Sequence, residues 1–165
     1  IFNSPCAPAI ERYTGVVYEH IEWATLSEKA KKYMEKYVFI FSGLFGMLTP
    51  MTPIPDYKLK MNVLSLQHHW NPILSEALQD EKPIIDLLPQ VHRKAYKPNK
   101  KNVTPVDFLI INKGKKTAAG HFGKAVKGEF IRHMAENNVT SVDEFSSFEY
   151  DGFKWDGTSF IKEEH

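Results

Sequence analysis

The chain has 165 residues, 42% of them hydrophobic and 25% charged, with a formal net charge of +1. That size and balance suit one globular domain over residues 1–165 and exclude a disordered tail or a fibre. A field this weak cannot steer polyanions at a distance, so any phosphate-bearing partner has to be met by a local basic patch.

The single cysteine, Cys6, excludes an internal disulfide and a cysteine-based zinc cage, and it suits a reducing compartment. No apolar run reaches the length of a membrane helix and no signal peptide opens the chain, so the expected location is the cytoplasm. The start at Ile1 instead of Met reads as processing or a fragment, and His165 as native or the first residue of a tag.

In chain order, "IERYTGVVYEHI" (Ile10 to Ile21) sets β-branched and aromatic residues around Gly15, which predicts a short strand or turn. Thr25 and Glu28 have capping-box spacing, and Leu26, Ala30, Tyr33, Met34 and Tyr37 recur at helical intervals. A helix from Leu26 to Tyr37 follows, with Lys29, Lys31, Lys32 and Lys36 as its solvated face. Val38 to Phe41 reads as a buried strand. In "SGLFGMLTPMTPIPDYKLKM", Gly43 and Gly46 precede Pro50, Pro53 and Pro55, so no regular element is expected before Tyr57.

"HHWNPILSEALQD" predicts a helix with Pro72 near its first turn, and "PIIDLL" a strand. "VDFLIINKGKKTAAGHF" predicts two strands about a tight turn at Asn112-Lys113-Gly114. "GKAVKGEFIRHMAEN" aligns Val126, Phe130, Ile131 and Met134 on one helical stripe. The tail "FEYDGFKWDGTSFIKE" holds two Asp-Gly signals between aromatic runs and predicts a hairpin or small meander. The expected fold is mixed α/β, with a partly antiparallel sheet and flanking helices.

Chemical motifs are few. His68 and His69 point to different faces of any regular element and lack acidic or cysteine partners at ligand spacing, so no metal site is expected. No nucleophile elbow, Walker loop or HExxH helix occurs, which removes the common hydrolase, kinase and zinc-protease classes. Trp23, Trp70 and Trp155 are read first as core residues and second as base-stacking platforms.

"GHFGKAVKGEF" is the most pointed cluster. Gly120 and Gly123 suit a sharp turn at a helix N-terminus, and Lys124 and Lys127 lie on one face near its positive end. An anion site and a capped surface helix explain it equally. Gly128, a costly helix residue, implies close approach of a backbone or a ligand. "HRKAYKPNKK" offers a second basic run, read either as phosphate contacts or as an exposed loop. The glycine and proline segment is read as a stiff loop presenting Tyr57, Lys58 and Lys60, or as a wrapping of the core edge.

Several stretches together resemble the YaaA family of peroxide-stress proteins. "GVVY", "SGLFGMLTPMTPIPDYKLKM", Trp70 followed by "LSEAL", "FGKAVKG" and "FEYDGF" occur in that family's order. Ser42, Gly43, Leu44, Gly46, Leu48, Pro50, Tyr57, Leu59 and Met61 match its Ser-Gly-Leu-Tyr-Gly-x-Leu-x-Pro stretch leading into Tyr-Arg-Leu-Glu-Met. The similarity runs from about Ala9 to Ile161. The family's Ser-Pro-Ala-Lys-Thr motif has no counterpart, so the chain reads as the C-terminal part of the family fold. The family's helix-hairpin-helix DNA-binding element is expected in the part without a counterpart.

Departures are Phe45 for tyrosine, Lys58 for arginine, Lys60 for glutamate and Lys127 for arginine, together with the run Asp86 to Lys94. The resemblance implies a cytoplasmic stress protein that keeps unincorporated iron low, with DNA bound in a positively charged cleft. Lys58, Lys60, Arg93, Lys94, Lys124 and Lys127 are the basic positions near the family pattern, and Arg132 joins them on charge alone. An alternative is an enzyme acting on a nucleotide or nucleic acid, with Asp86, His92 or Tyr57 as catalytic candidates. No cofactor is expected.

Overall fold

Turn chemistry and aromatic patterning account for much of the architecture. A computed structural model describes residues 4–164, so Ile1 and His165 lie outside the described residues. In chain order the elements are β1 (Cys6–Pro8), α1 (Ala9–Arg12), α2 (Val16–Ile21), α3 (Glu28–Tyr37), β2 (Ile40–Ser42), β3 (Gly46–Leu48), β4 (Pro53–Pro55) and α4 (Leu66–Ala77). There follow β5 (Ile84–Asp86), α5 (Gln90–Arg93), β6 (Val103–Pro105), β7 (Phe108–Asn112), β8 (Lys115–Ala118), α6 (Gly120–Asn137), β9 (Glu149–Tyr150), β10 (Phe153–Trp155) and β11 (Phe160–Glu164). The result is the expected mixed α/β fold. Backbone packing groups it into two units, the first from residues Ile1–Arg12 and Val38–Pro105, the second from Tyr13–Tyr37 and Val106–His165.

The second unit is built on a five-stranded sheet in the order β8-β7-β11-β10-β9. Lys113 and Gly114 both have positive φ, so the β7–β8 hairpin closes through the tight turn its sequence predicts. Asp151 and Gly152 repeat the device between β9 and β10. β11 then runs parallel to β7, Phe160 opposite Phe108, and makes the sheet mixed.

Against this sheet α6 lays its apolar stripe, with Val126, Phe130 and Met134 buried. Phe130, Phe145, Phe153 and Phe160 are fully enclosed, and Phe108 stacks on Phe160 at 5.3 Å. Edge-on contacts of Phe130 with Phe145 at 5.0 Å and Phe148 at 5.2 Å follow the ring quadrupole. Each such ring contributes about 1.5–3 kcal/mol through burial.

Residues 16–21 correct the expected strand or turn. They form α2, because packing on α6 outweighs the β preference of Val16, Val17 and Tyr18. Gly128 makes the approach possible: a Cβ there would collide with the Val17 carbonyl oxygen and lie 2.6 Å from His20 Cβ. Another backbone, not a ligand, therefore accounts for Gly128.

The expected Thr25 cap is also corrected. α3 begins at Glu28, and Ser27 Oγ accepts the Ala30 amide at 3.1 Å, while Thr25 ends a 3-10 turn. Gly123 lies inside α6 rather than at a turn. It is buried against Phe108, whose Cβ would lie 3.4 Å from an added Cβ.

The first unit is assembled from short pairs: β1 with β4, β2 with β3, and β5 with β6. β3 and β4 correct the expectation that no regular element precedes Tyr57. Prolines 53 and 55 are tolerated because β4 belongs to a two-stranded ladder, where amides can face outward. Arg12 helps hold it, donating from Nη2 to the Pro5 carbonyl at 2.6 Å and from Nε to that of Ile54 at 3.4 Å.

β5 appears where predicted and pairs in parallel with β6. Met61, Leu74, Leu78, Ala95 and Tyr96 form the core, flanked by Phe41, Met47 and Trp70. α4 starts at Leu66, so Pro72 sits inside the helix and not near its first turn. Pro72 cannot bond the His68 carbonyl, and both residues are exposed, so water can replace that bond.

Candidate functional site

The segment from Tyr57 to Met61 alternates: Tyr57 and Leu59 are half-buried and Met61 is buried, while Lys58 and Lys60 are exposed. The alternation leaves both lysines open to solvent on either side of Leu59. Gly43 explains how this irregular segment lies so close to the core. A Cβ there would sit 2.6 Å from the Leu59 carbonyl oxygen and 3.2 Å from the Met61 amide nitrogen.

The loop behind this segment is cross-tied. Ser42 Oγ accepts the Phe45 amide at 3.0 Å and shares a short hydrogen bond with the Tyr57 hydroxyl. The Tyr57 ring packs edge-on against Phe45 at 5.4 Å. Trp70 Nε1 donates to the Gly43 carbonyl at 2.9 Å, and its ring lies over Gly46, whose φ of 79° and closeness to the indole both require glycine. Pro50 and Ile54 are buried beneath the same loop. Lys58 and Lys60 therefore stand on a stiffened base.

Asp86 has a different part. Its Oδ1 accepts from the Leu88 amide at 2.8 Å and from Arg93 Nε at 3.4 Å, and its Oδ2 accepts from the Tyr96 hydroxyl at 2.8 Å. Arg93 Nη2 adds a bond of 3.1 Å to the Asp86 carbonyl. Burial, then the bond to Asp86, pushes the Tyr96 phenol upward. This buried knot fixes the start of α5, and it directs Arg93 inward while Lys94 is exposed.

The basic residues of the second unit also separate. Lys124 is exposed on α6 and Lys127 is half-buried. Arg132 donates from Nη1 to the Ile21 carbonyl at 2.9 Å, the Glu22 carbonyl at 3.3 Å and Thr25 Oγ1 at 2.8 Å. It closes the C-terminal end of α2. Lys58, Lys60, Arg93 and Lys94 thus belong to the first unit, and Lys124, Lys127 and Arg132 to the second.

His92 lies on α5, half-buried. Trp23 and Trp155 are half-buried, and Trp155 packs on Phe145 at 5.1 Å. No group of three or more His, Cys, Asp or Glu side chains placed for a metal ion occurs among the described residues. No helix among them is long and apolar enough to cross a membrane.

Sequence reasoning overlooked the Ser42–Tyr57 tie, the Trp70–Gly43 bond and Tyr96 as partner of Asp86. The first two lay within the family-like stretches, where Ser42, Tyr57 and Trp70 were the available signal.

Comparison with known proteins carries these observations to a family. A UPF0246 protein of Lactobacillus helveticus (strain DPC 4571) is 29% identical over 158 residues, covering 87% of this chain and 62% of the relative. A UPF0246 protein of Streptococcus pneumoniae (strain 70585) is 27% identical over 170 residues, covering 94% of this chain and 70% of the relative. The chain thus spans roughly two thirds of the length of these relatives. The family model described as peroxide stress protein YaaA matches residues 2–159, and the chain belongs to that family.

Proposed function

We propose that this protein acts in peroxide stress by keeping unincorporated iron low, through DNA binding on a positively charged surface. The observation that carries the reading is the stiffened segment presenting Lys58 and Lys60 outward from a core tied by Ser42, Tyr57, Gly43 and Trp70. Two exposed ammonium groups on a tied backbone suit phosphate contacts, since only their side chains have to be ordered on binding. Exposed Lys94 and Lys124 add to the basic surface within their own units. Phosphate contacts of this kind give affinity with little sequence preference.

An enzyme acting on a nucleotide or nucleic-acid substrate is the alternative. Asp86 gives it no support, because both carboxylate oxygens are spent on Leu88, Arg93 and Tyr96.

The test is made in the host cell during peroxide exposure. Cells carrying Lys58→Gln/Lys60→Gln should accumulate unincorporated iron, read by electron paramagnetic resonance of chelated iron, as cells lacking the protein do. Wild-type iron in those cells, with normal protein abundance, would exclude the role proposed for the two lysines.

A further inference from the structure

A second basic surface lies in the other unit, on α3. Lys29, Lys32 and Lys36 are exposed and, with Tyr33, Tyr37 and Asn138, line an open depression of about 390 Å³. Their spacing of three and four residues places the lysines on one helical face. None of the three is in a salt bridge among the described residues, whereas Lys31, on another face, pairs with Glu28 at 3.4 Å. Three like charges around one depression repel each other; Glu136 lies within electrostatic reach of Lys29 and offsets part of that repulsion, and a polyanion relieves the rest. The C-terminal end of α6 at Asn138 attracts a cation, which accounts for one lysine but not for three beside an exposed ring.

That ring is Tyr37, 47% exposed at the end of α3. It rests against Tyr33, with centroids 4.9 Å apart, and Tyr33 is itself fixed by a 2.6 Å hydrogen bond from its hydroxyl to the Val139 carbonyl. The Lys36 ammonium lies 4.8 Å from the Tyr37 centroid. A supported, exposed aromatic ring with a cation already on it, beside further cations, has the composition of a single-strand stacking platform.

We infer that the α3 face binds single-stranded nucleic acid, with phosphates on Lys29, Lys32 and Lys36 and one unpaired base stacked on Tyr37. On binding, Lys36 leaves the ring for a phosphate and the base takes its place. A duplex keeps its bases stacked on one another and cannot use the ring. This surface is separate from Lys58 and Lys60 and does not depend on the role proposed for them.

The experiment is fluorescence anisotropy of a labelled oligothymidine of about 12 nucleotides, compared with a duplex of equal length. It is run between roughly 50 and 200 mM salt. Lys29→Gln/Lys32→Gln/Lys36→Gln should weaken single-strand binding and reduce the slope of log affinity against log salt by about 2. Tyr37→Ala should weaken it roughly 5- to 100-fold with the slope unchanged, and Tyr37→Phe should bind as the parent does.

These positions are exposed, and unchanged melting temperatures show that the variants fold. Parental affinity and slope in the triple variant, or duplex binding equal to single-strand binding and indifferent to Tyr37→Ala, would overturn the inference. If Lys58→Gln/Lys60→Gln alone abolishes binding, the α3 inference fails and the first-unit reading stands. Loss confined to the α3 variants upholds the inference and removes Lys58 and Lys60 from single-strand binding.

Discussion

Different physics holds each of the two units together. The second rests on a continuous aromatic core around Phe130, Phe145, Phe153 and Phe160, closed by a five-stranded sheet. The first has two-stranded ladders among its described residues, and to a smaller apolar core around Met61, Leu74 and Tyr96 it adds polar ties: the Asp86 knot, the Ser42–Tyr57 pair and the Trp70 bond to Gly43. Burial is non-directional, whereas hydrogen-bonded ties specify the position of particular atoms. A scaffold of the second kind suits a surface whose lysines must stand at set positions.

The contrast is sharpest in the cost of removing one side chain. Phe130→Ala should destabilise the second unit by about 3–5 kcal/mol, since it empties the centre of the aromatic cluster. Chemical denaturation checks this, and a loss under about 1 kcal/mol would mean that the cluster is loosely packed. Asp86→Ala should cost about 3 kcal/mol, because Arg93 and Tyr96 lose their shared partner in a buried setting. If Asp86→Ala were neutral, the account of the first unit as held by polar ties would be wrong.

Glycines give the next pair. Gly128→Ala should destabilise by about 1–3 kcal/mol, as the added methyl group meets the Val17 carbonyl and forces α2 from α6. Gly43→Ala should cost a similar amount by pushing Leu59 to Met61 outward, and it should also disturb nucleic-acid binding. Stability loss without a binding change at Gly43 would separate the loop from the proposed surface.

A smaller effect concerns alkaline pH. Burial first, then the neighbouring charges of Tyr37 and Glu144, pushes the Tyr33 phenol up to about 12. Its folded value exceeds the unfolded value near 10, so the contribution to stability is intact below pH 10 and declines as pH rises from 10 through about 12. Tyr33→Phe should flatten the decline in melting temperature over that window, and an unchanged profile would remove Tyr33 as its source.

How much of this was legible in the sequence depended on how local the cause was. Lys113-Gly114 and Asp151-Gly152 carry their own positive-φ turns, and the stripe on α6 follows from spacing alone, so these were readable. Residues 16–21 were not, because their helix depends on a notch at Gly128, far along the chain. β4 was hidden by Pro53 and Pro55, which an edge ladder accommodates, and β3 by its length of three residues between glycine and proline signals. At the site, the basic charges were visible but their partners were not. Arg93 and Arg132 could be noted as cations, yet only the fold shows that one serves Asp86 and the other the end of α2. The α3 lysines were legible as an exposed face, whereas Asn138 beside them comes from a distant part of the chain and was not.

The most direct test of the central claim is the salt dependence of DNA binding by this chain and by its Lys58→Gln/Lys60→Gln variant. Because both lysines project into solvent from a tied backbone segment, the account predicts that the double variant binds more weakly at low salt and that its salt slope falls by about 2. Unchanged affinity and an unchanged slope would contradict it.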